Sequence, residues 1–394
     1  MSGSESHHSA RGFRRGAALT LVFASVLATA AATNSLPGAD EKPRRVPTRS
    51  VASTVDSDDV TRAAAEAMAD GKSGADAAEE VVSRSGDRWG AVYDKREYEE
   101  FEQALDGEYT GVGLSARRTA DALIEVVRVQ PGGPAEKAGI RSGDTIRDID
   151  GSGVAERPVT EVMALLRGDS ARARTGATVV GTSVVLGLER DGYRWTLSLR
   201  RARLATESVM VDSIGGDTLR IRVDSFTKGT GKRVRDAVLD APRGAGVLLD
   251  LRGNGGGLVT EAVTAASAFL DGGLVATYDI RGEQRALYAD PGGDTDRPVV
   301  VLVDGGTMSA AELVTGALQD RGRSITVGSR TFGKGSVQMP SRLPDGSVAE
   351  LTVGHYRTPA GHGVDGRGVT PDLLVSERAE ERARTVLSGL GGTP

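Results

Sequence analysis

Short apolar segments alternate with helical segments between about residues 206 and 377, and this alternation restricts the fold more than any other feature. Gly246–Leu251 and Val299–Val303 are almost continuously apolar, which is typical of strands that helices bury on both faces. A glycine-containing turn and a helical pattern follow each of them, over Val259–Phe269 and Ala310–Gln319. Strands that alternate with helices predict a mixed α/β domain with a partly parallel sheet.

The rest of the chain has a different organisation. Its 394 residues suggest two or three domains. Short strands and turns dominate after residue 108, including a hairpin of Val184–Leu188 with Tyr193–Leu199 across Arg190-Asp191-Gly192. The predicted divisions are 1–32, a signal peptide or N-terminal anchor; 33–56, a linker; 57–108, an N-terminal helical region; 109–203, a β-rich domain; 204–380, the α/β core; and 381–394, a C-terminal tail.

The first 32 residues have the pattern of an export signal. Arg11, Arg14 and Arg15 precede the uncharged apolar run Ala17–Ala32, and small residues at its end suit signal cleavage. The run is shorter than the roughly 20 residues that span a bilayer comfortably. An uncleaved membrane anchor stays open as the alternative, and both interpretations predict an exported protein that is extracellular or associated with the cell envelope.

Composition excludes several kinds of function. A net charge of -5 gives no electrostatic reason to expect nucleic-acid binding. The absence of cysteine excludes disulfides, thiol nucleophiles and thiolate metal sites. We predict no metal and no cofactor.

Ser309 lies at a predicted strand-to-helix junction. The strand Val299–Val303 is followed by Gly305-Gly306, and Ser309 comes directly before the helix. Unpaired backbone N–H groups at a helix start can hold a developing oxyanion. The alternative is that Ser309 is only an N-cap, which is the common reason for serine at this position.

Lys334 lies between Gly333 and Gly335, with Gln338 four residues later. Lysine is rare in this chain and arginine abundant, so a retained lysine suggests a group that has to lose its proton, which arginine cannot do. A solvated turn lysine is the alternative. His355 and His362 are the histidines left after the apolar run, and neither lies in a recognisable triad motif.

A glycine loop, Asp250-Leu251-Arg252-Gly253-Asn254-Gly255-Gly256-Gly257, follows the buried strand and precedes a helix. This arrangement suits anion binding, whether of a phosphate or of an oxyanion. No Gly-Lys-Ser/Thr follows, so the loop is not a P-loop. A tight structural turn is the alternative.

Taken together, these segments resemble the carboxy-terminal processing peptidases, or tail-specific proteases. The serine-to-lysine and lysine-to-glutamine spacings of 25 and 4 residues match the pattern of that family. The matching blocks are Trp89–Tyr93 through Glu97–Phe101 and Gly107–Gly113, then Asp250–Gly257, Gly306–Ala310, Thr331–Gln338, and Tyr356–Pro359 through Gly368–Asp372.

The resemblance implies a crotonase/ClpP-like α/β protease core and a role for each site residue. Ser309 would be the nucleophile, Lys334 the general base, and Gln338 the residue that orients the lysine. The oxyanion hole would use the N–H of Ala310 and a glycine N–H from Gly255, Gly256 or Gly257. The implied activity is a serine endopeptidase that cleaves proteins near or from their C-termini.

The resemblance also implies that residues 109–203 form a PDZ-type domain. In it Gly111-Val112-Gly113-Leu114 would bind a terminal carboxylate, and Val159–Arg167 would lie beside the peptide groove. The expected partners are proteins and peptides with apolar C-termini, and a homo-oligomer is left open. Two departures from the family pattern are the apparent insertion Asp169–Gly181 and the residues Met308 and Ala311 beside the serine.

Two rival interpretations remain. One is a binding protein on an inactive protease scaffold, which would usually have lost one of Ser309, Lys334 and Gln338. The other is a different enzyme on the related crotonase-like fold, with the glycine loop holding a thioester oxyanion. Export argues against the second, because coenzyme A chemistry is intracellular.

Overall fold

The structure is a computed structural model that describes residues 56–391 except 120, 169–179, 216 and 281–282. Within these residues the chain forms two units, one of residues 108–206 and one of residues 56–107 with 207–391. The predicted signal peptide or anchor, almost all of the predicted linker and most of the apparent insertion lie outside the described residues. In the described part of the chain no helix is both long and apolar enough to cross a membrane.

The second unit begins with a helical pair and a short strand. The elements are α1 (Ser57–Ala69), α2 (Gly74–Ser85), β1 (Ala91–Tyr93) and α3 (Lys95–Leu105). Side chains of Asp56, Ser73 and Asp94 cap the three helix starts, as cap residues do before an apolar-periodic segment. The sequence predicted helix throughout 57–107. Strand β1 interrupts it because residues 91–93 pair with a strand at 348–350, far along the chain.

The first unit is a β-rich domain. Its elements are β2 (Glu108–Gly111), β3 (Leu114–Arg118), β4 (Ile124–Val129), α4 (Pro134–Lys137), β5 (Thr145–Ile149), β6 (Ser152–Gly153), α5 (Val159–Arg167), β7 (Ser183–Arg190), β8 (Tyr193–Arg200) and β9 (Ala202–Ala205). The main sheet has the order β3-β4-β5-β7-β8, with β6 on β5, and β2 pairs with β9. The predicted β7–β8 hairpin is confirmed, since Arg190 pairs with Tyr193 and both turn residues have positive φ.

Helix α5 of this unit packs its apolar face on the sheet, and an arginine caps its C-terminal end. Val162 and Leu166 are buried in the domain core. The buried Arg201 donates to the carbonyl oxygens of Leu165 and Leu166 at 2.8 and 2.9 Å, and so satisfies the last carbonyls of the helix.

The second unit continues with the α/β core. Its elements are β10 (Val209–Ile214), β11 (Thr218–Val223), α6 (Thr230–Leu239), β12 (Gly246–Asp250), α7 (Val259–Ala266), β13 (Leu274–Ile280), β14 (Glu283–Tyr288), β15 (Val299–Val303), α8 (Ala310–Asp320), β16 (Ile325–Gly328), β17 (Ser336–Arg342), β18 (Val348–Arg357), β19 (Leu373–Leu374) and α9 (Ala379–Gly391). One sheet has the order β10-β11-β12-β15-β16-β19 and is parallel from β11 onward. This confirms the predicted mixed α/β core with a partly parallel sheet.

A second, antiparallel sheet lies in the same unit. Its order is β1-β18-β13-β14, and β17 pairs with β18. Tyr356 on β18 and Tyr278 on β13 belong to the same apolar core as helices α7 and α8. The antiparallel sheet therefore carries the segment after Lys334 into the same core that holds the helix after Ser309.

The end of the described chain is a helix where the sequence predicted a tail from residue 381. Ala383 and Leu387 on α9 are buried with Leu248, Val300 and Leu302 of the parallel sheet. The helix forms because its apolar positions are spaced to cover one face of that sheet. The boundary predicted at residue 380 thus falls inside α9.

Candidate active site

Ser309 occupies a sharp turn between β15 and α8. Its φ is 56° and its ψ is -118°, a region that non-glycine residues rarely adopt. An ordinary N-cap has β-region dihedral angles, so capping alone does not account for this conformation. A serine held on a strained strand-to-helix turn is the arrangement that presents a nucleophilic hydroxyl. The buried hydroxyl of Tyr356 donates to the Ser309 carbonyl oxygen at 2.9 Å and holds the turn from the second sheet.

The glycine loop is fixed against the segment before Ser309. Gly253 N and Gly306 N both donate to Asp304 Oδ1, at 2.9 and 2.8 Å. Met308 N donates to the Asn254 carbonyl oxygen at 2.9 Å. The fully buried Asn254 side chain also donates to Val223 O at 2.9 Å. These hydrogen bonds hold the loop that follows β12 against the loop that follows β15.

Gly256 is the closest approach of this loop to the serine. A Cβ on Gly256 would lie 2.8 Å from Ser309 Cβ and 3.2 Å from Ala310 N. Of the predicted oxyanion donors, Gly256 therefore lies beside Ser309, with one difference from the prediction. Gly256 N already donates to Asn254 Oδ1 at 2.8 Å, so its N–H is engaged within the loop. Ala310, Gly255 and Gly257 remain as candidate donors.

Glu312 joins the serine segment to the lysine segment. Its fully buried carboxylate accepts from Ser309 N at 2.9 Å and from Lys334 N at 2.8 Å. It also accepts from Gly333 N at 2.7 Å and from Thr331 Oγ1 at 2.5 Å. Burial raises the pKa of Glu312, and these four hydrogen bonds oppose the rise. One carboxylate thus fixes the backbones of two of the three predicted catalytic residues, Ser309 and Lys334.

The glycines beside Lys334 are required by close backbone packing. A Cβ on Gly333 would lie 2.9 Å from Gly368 N, and a Cβ on Gly335 would lie 2.5 Å from Asp365 N. Gly333 also has a φ of 93°. No larger residue fits at either position without displacing the neighbouring backbone. Lys334 is therefore held in a tightly packed segment, which the prediction of a solvated turn lysine does not explain.

The Lys334 amine lies over an aromatic ring. Its Nζ is 5.0 Å from the centroid of the Trp89 ring. Burial lowers the pKa of Lys334, whereas the negative charges of Glu350 and Asp87 oppose that decrease. Among the described residues, no hydrogen bond joins Nζ to Ser309 or to Gln338. Catalytic hydrogen bonds often form only when substrate is bound.

Gln338 lies on β17 and is held by the same tryptophan. Its Nε2 donates a hydrogen bond to the Trp89 carbonyl oxygen. Gln338 and Lys334 are thus both beside Trp89.

Both histidines have an acidic neighbour, which the sequence did not predict. His355 Nε2 is 3.7 Å from Asp365 Oδ2, and His362 Nδ1 is 3.7 Å from Asp320 Oδ1. Tyr356 faces Ser309, so its strand neighbour His355 points to the opposite face of the sheet. Asp320 ends α8, and a helix of that length places it roughly 16 Å from Ser309. Among the described residues, neither histidine forms a hydrogen bond with Ser309.

Replacing both His355 and His362 with glutamine should therefore leave peptide hydrolysis within about threefold of wild type, as surface substitutions usually do. Initial rates on one peptide substrate would measure this. A double variant that keeps its circular dichroism spectrum and thermal midpoint but loses hydrolysis would restore the histidine triad.

The predicted peptide-binding residues lie at the start of the first unit. Gly111 is the last residue of β2, Leu114 begins β3, and Val112 and Gly113 connect the two strands. Val112 O accepts from Ala135 N at 2.9 Å, which ties the connection to α4. The helix predicted at Val159–Arg167 is confirmed as α5, which contacts β3.

Sequence reasoning missed three residues that shape this region. Glu312 had a readable signal, because Ser309-Ala310-Ala311-Glu312 fits the capping-box spacing. Asn254 and Trp89 appeared in the quoted motifs without an assigned role, since their contacts come from distant segments. In the described part of the chain no group of histidine and acidic side chains is placed to hold a metal ion.

Comparison with known proteins identifies the family. The profile of peptidase family S41 matches residues 217–375, and that of a PDZ domain matches residues 125–175. The chain belongs to peptidase family S41. This S41 peptidase is 32% identical over 298 residues to the carboxy-terminal processing protease CtpA of Bacillus subtilis (strain 168), an alignment covering 74% of the chain and 62% of the relative. The resemblance predicted from sequence is confirmed, as is the mixed α/β fold with a PDZ domain.

Other relatives carry similar names. The carboxy-terminal-processing protease of Bartonella bacilliformis (strain ATCC 35685 / KC583 / Herrer 020/F12,63) is 31% identical over 299 residues, covering 73% of the S41 peptidase and 66% of the relative. A solved structure of the photosystem II D1 C-terminal processing protease has 30% identity and a TM-score of 0.49, and the match covers 81% of this chain and 86% of that one. The S41 peptidase described here thus spans about two-thirds or less of the length of these two curated relatives.

Proposed function

We propose that this protein is an exported serine endopeptidase that cleaves protein substrates near or from their C-termini. The observation that carries the proposal is the Glu312 carboxylate, which accepts from Ser309 N and Lys334 N at once. It fixes the strained serine and the desolvated lysine relative to each other, as a nucleophile and its base require. The names of the relatives support action at the carboxy terminus.

The chemistry follows from these roles. Neutral Lys334 Nζ takes the proton from Ser309 Oγ as the oxygen attacks the scissile carbonyl carbon. The oxyanion that forms accepts hydrogen bonds from Ala310 N–H and from Gly255 or Gly257 N–H. Protonated Lys334 then gives its proton to the leaving amine, and an ester of Ser309 remains. Lys334 next takes a proton from water as the water oxygen attacks the ester carbon. It returns that proton to Ser309 Oγ as the bond between Oγ and the acyl carbon breaks, which releases the new C-terminus and restores the neutral lysine.

The pKa of Lys334 decides whether this is possible near neutral pH. Lysine normally titrates at about 10.4 and would be almost entirely protonated. Burial lowers the pKa of Lys334 in this site and so increases the fraction that can accept a proton. Gln338 orients the amine by accepting from it.

Substrate tails are recognised by the PDZ domain in this proposal. An extended apolar C-terminus adds as a strand beside α5, and its carboxylate accepts from N–H groups of the Gly111–Leu114 connection. The domain is tethered to the core at both ends, so it raises the local concentration of a bound substrate.

Export is part of the proposal and rests on the sequence of residues 1–32. Cleavage of that segment and its retention as a membrane anchor are both compatible with the proposed activity. The proposal includes no cofactor and no nucleic-acid partner, and it leaves a homo-oligomer open.

The substrate class can be tested with the full chain carrying Ser309→Ala, which binds without cleaving. Peptides that end in apolar residues with a free carboxylate should bind at least about tenfold more tightly than the same peptides amidated, because a charge-assisted hydrogen bond is lost. Fluorescence anisotropy would measure both affinities. Equal affinity for the two forms would rule out carboxylate capture.

The wild-type chain supplies the matching test of the reaction. It should react with a serine-directed fluorophosphonate probe and hydrolyse the free-acid peptides, whereas Ser309→Ala should do neither. Peptide binding without labelling or hydrolysis would instead favour a binding protein on an inactive scaffold. Labelling together with turnover of a thioester and not of peptides would favour a crotonase-like enzyme.

A further inference from the structure

The turn that carries Trp89 contacts two of the three predicted catalytic residues. The Trp89 ring lies 5.0 Å from Lys334 Nζ, and the Trp89 carbonyl oxygen accepts from Gln338 Nε2. The same ring packs against Phe332 with a centroid distance of 5.7 Å. Phe332 N donates in turn to Thr307 O at 3.0 Å, close to the serine. Trp89 is thus in contact with the site from the N-terminal region that the sequence predicted only to be helical.

The Trp89 turn is anchored to β18 by Asp87. Asp87 Oδ1 accepts from Trp89 N at 3.0 Å, from Gly90 N at 2.9 Å and from Thr352 Oγ1 at 2.8 Å. Asp87 Oδ2 accepts from Thr352 N at 2.8 Å. Thr352 is also the strand partner of Gln338. The Trp89 turn and Gln338 are therefore both positioned by the same residue of β18, Thr352.

The contact with Trp89 engages the donor group of the Gln338 amide. A glutamine amide has two N–H donors and one acceptor oxygen, and a lysine amine needs an acceptor to be oriented. Because Nε2 is bound by the Trp89 carbonyl, Oε1 is the atom left to accept from Lys334. An amide rotated the other way would direct donors at an ammonium group.

The indole ring lies over the Lys334 amine and contributes to its burial, an effect that has to exceed the attraction of the ring face for an ammonium group. The ring covers the amine, and burial is the main reason that the pKa of Lys334 is lowered. Charged groups also surround this site. Glu350 on β18 and Asp87 in the turn both raise the pKa of Lys334, and the Arg88 guanidinium lies 4.6 Å from the Trp89 ring centroid. Tyr98 hydrogen-bonds Glu350 from α3.

We propose that Trp89 is a positioning residue for the hydrolysis. Its carbonyl group orients Gln338, and its indole ring shields the Lys334 amine from water. The proposal rests on the proposed function and extends the active site to the N-terminal region of the chain. Trp89 neither takes nor gives a proton and acts through the lysine and the glutamine.

Three full-chain variants test this role: Trp89→Ala, Trp89→Phe and Arg88→Ala. Trp89→Ala should lower kcat at neutral pH by about tenfold or more with little change in KM, since the fraction of neutral lysine falls. The acidic limb of its kcat/KM profile should move to higher pH by about one unit, because the amine is more exposed to water. Trp89→Phe keeps an aromatic face and should lie between Trp89→Ala and wild type. Arg88→Ala removes a neighbour of the same ring but keeps the ring itself, so it should lose far less activity than Trp89→Ala.

A second readout does not depend on catalysis. The chain has only seven lysines, so NMR titration of labelled lysine side chains, with Lys334→Arg to assign the signal, reports the pKa of Lys334 directly. That pKa should rise in Trp89→Ala even if the chain hydrolyses no peptide, which separates failure of this proposal from failure of the proposed function. A folded Trp89→Ala protein with unchanged Lys334 titration would overturn the proposal, as would faster hydrolysis by that variant. If Trp89→Ala does not fold, unchanged titration in Trp89→Phe together with wild-type activity overturns it equally.

Discussion

Replacing Lys334 with arginine should lower kcat/KM for peptide hydrolysis by about 100-fold to 10,000-fold, the range that a positioned general base supplies. Arginine keeps the positive charge and the long side chain but stays protonated at every accessible pH, so it cannot accept the Ser309 proton. In the wild-type enzyme, kcat/KM should rise with pH as Lys334 loses its proton, with a midpoint below the usual lysine value because burial lowers the pKa. Initial rates across pH measure both effects.

Lys232→Arg is the matched control for this substitution. Lys232 lies on α6 with 77% of its side chain exposed and forms an ion pair with Asp236. The same chemical change there should leave hydrolysis unchanged. A folded Lys334→Arg enzyme with activity near wild type would show that another group is the base.

Replacing Gly256 with alanine should lower kcat by about 100-fold, the effect expected when reacting groups are displaced by about 1 Å. The new methyl group would lie 2.8 Å from Ser309 Cβ and 2.9 Å from Met308 O, so the glycine loop and the serine turn must separate. That separation moves the Gly255 and Gly257 N–H groups away from the oxyanion that they are proposed to bind. Single-turnover acylation measures the loss most directly.

Gly253→Ala controls for backbone strain in the same loop. Gly253 and Gly256 both have positive φ, at 70° and 96°, so each alanine costs roughly 1–2 kcal/mol of strain. A Cβ on Gly253, however, meets nothing within 4 Å. The thermal midpoint of Gly253→Ala should fall through strain alone and that of Gly256→Ala should fall further, while acylation fails only in Gly256→Ala. Equal rates in both would show that contact with Ser309 is unimportant.

The elements that could be predicted from sequence are those with a local signal. The apolar composition of Val299–Val303 predicts a buried strand, and the glycines around Lys334 indicate close packing. Strand β1 and helix α9 were not predicted, because their formation depends on partners that are distant in the chain. Residues 91–93 pair with residues 348–350, and Leu387 on α9 packs on Leu248 and Val300.

The residues of the site also divide into those with a local sequence signal and those whose role depends on distant partners. Ser309, Lys334 and Gln338 were selected by motif and spacing, which are properties of the chain alone. The contacts of Trp89 with Lys334 and Gln338 join segments separated by more than 200 residues, and no local pattern predicts them. The engagement of Gly256 N by Asn254 depends on the exact loop conformation, so the sequence could not select among the three glycines.

The Glu312 carboxylate also bears on how this chain can change in length. Ser309 N and Lys334 N both donate hydrogen bonds to the Glu312 side chain, so their connection does not depend on the path that the intervening residues follow. That path includes the turn at Gly322, where a Cβ would meet open space. Extra residues there would lengthen an exposed loop at an entropic cost that grows only slowly with loop size. What insertions and deletions have to preserve is the three-residue step from Ser309 to Glu312, because it sets the reach of the carboxylate.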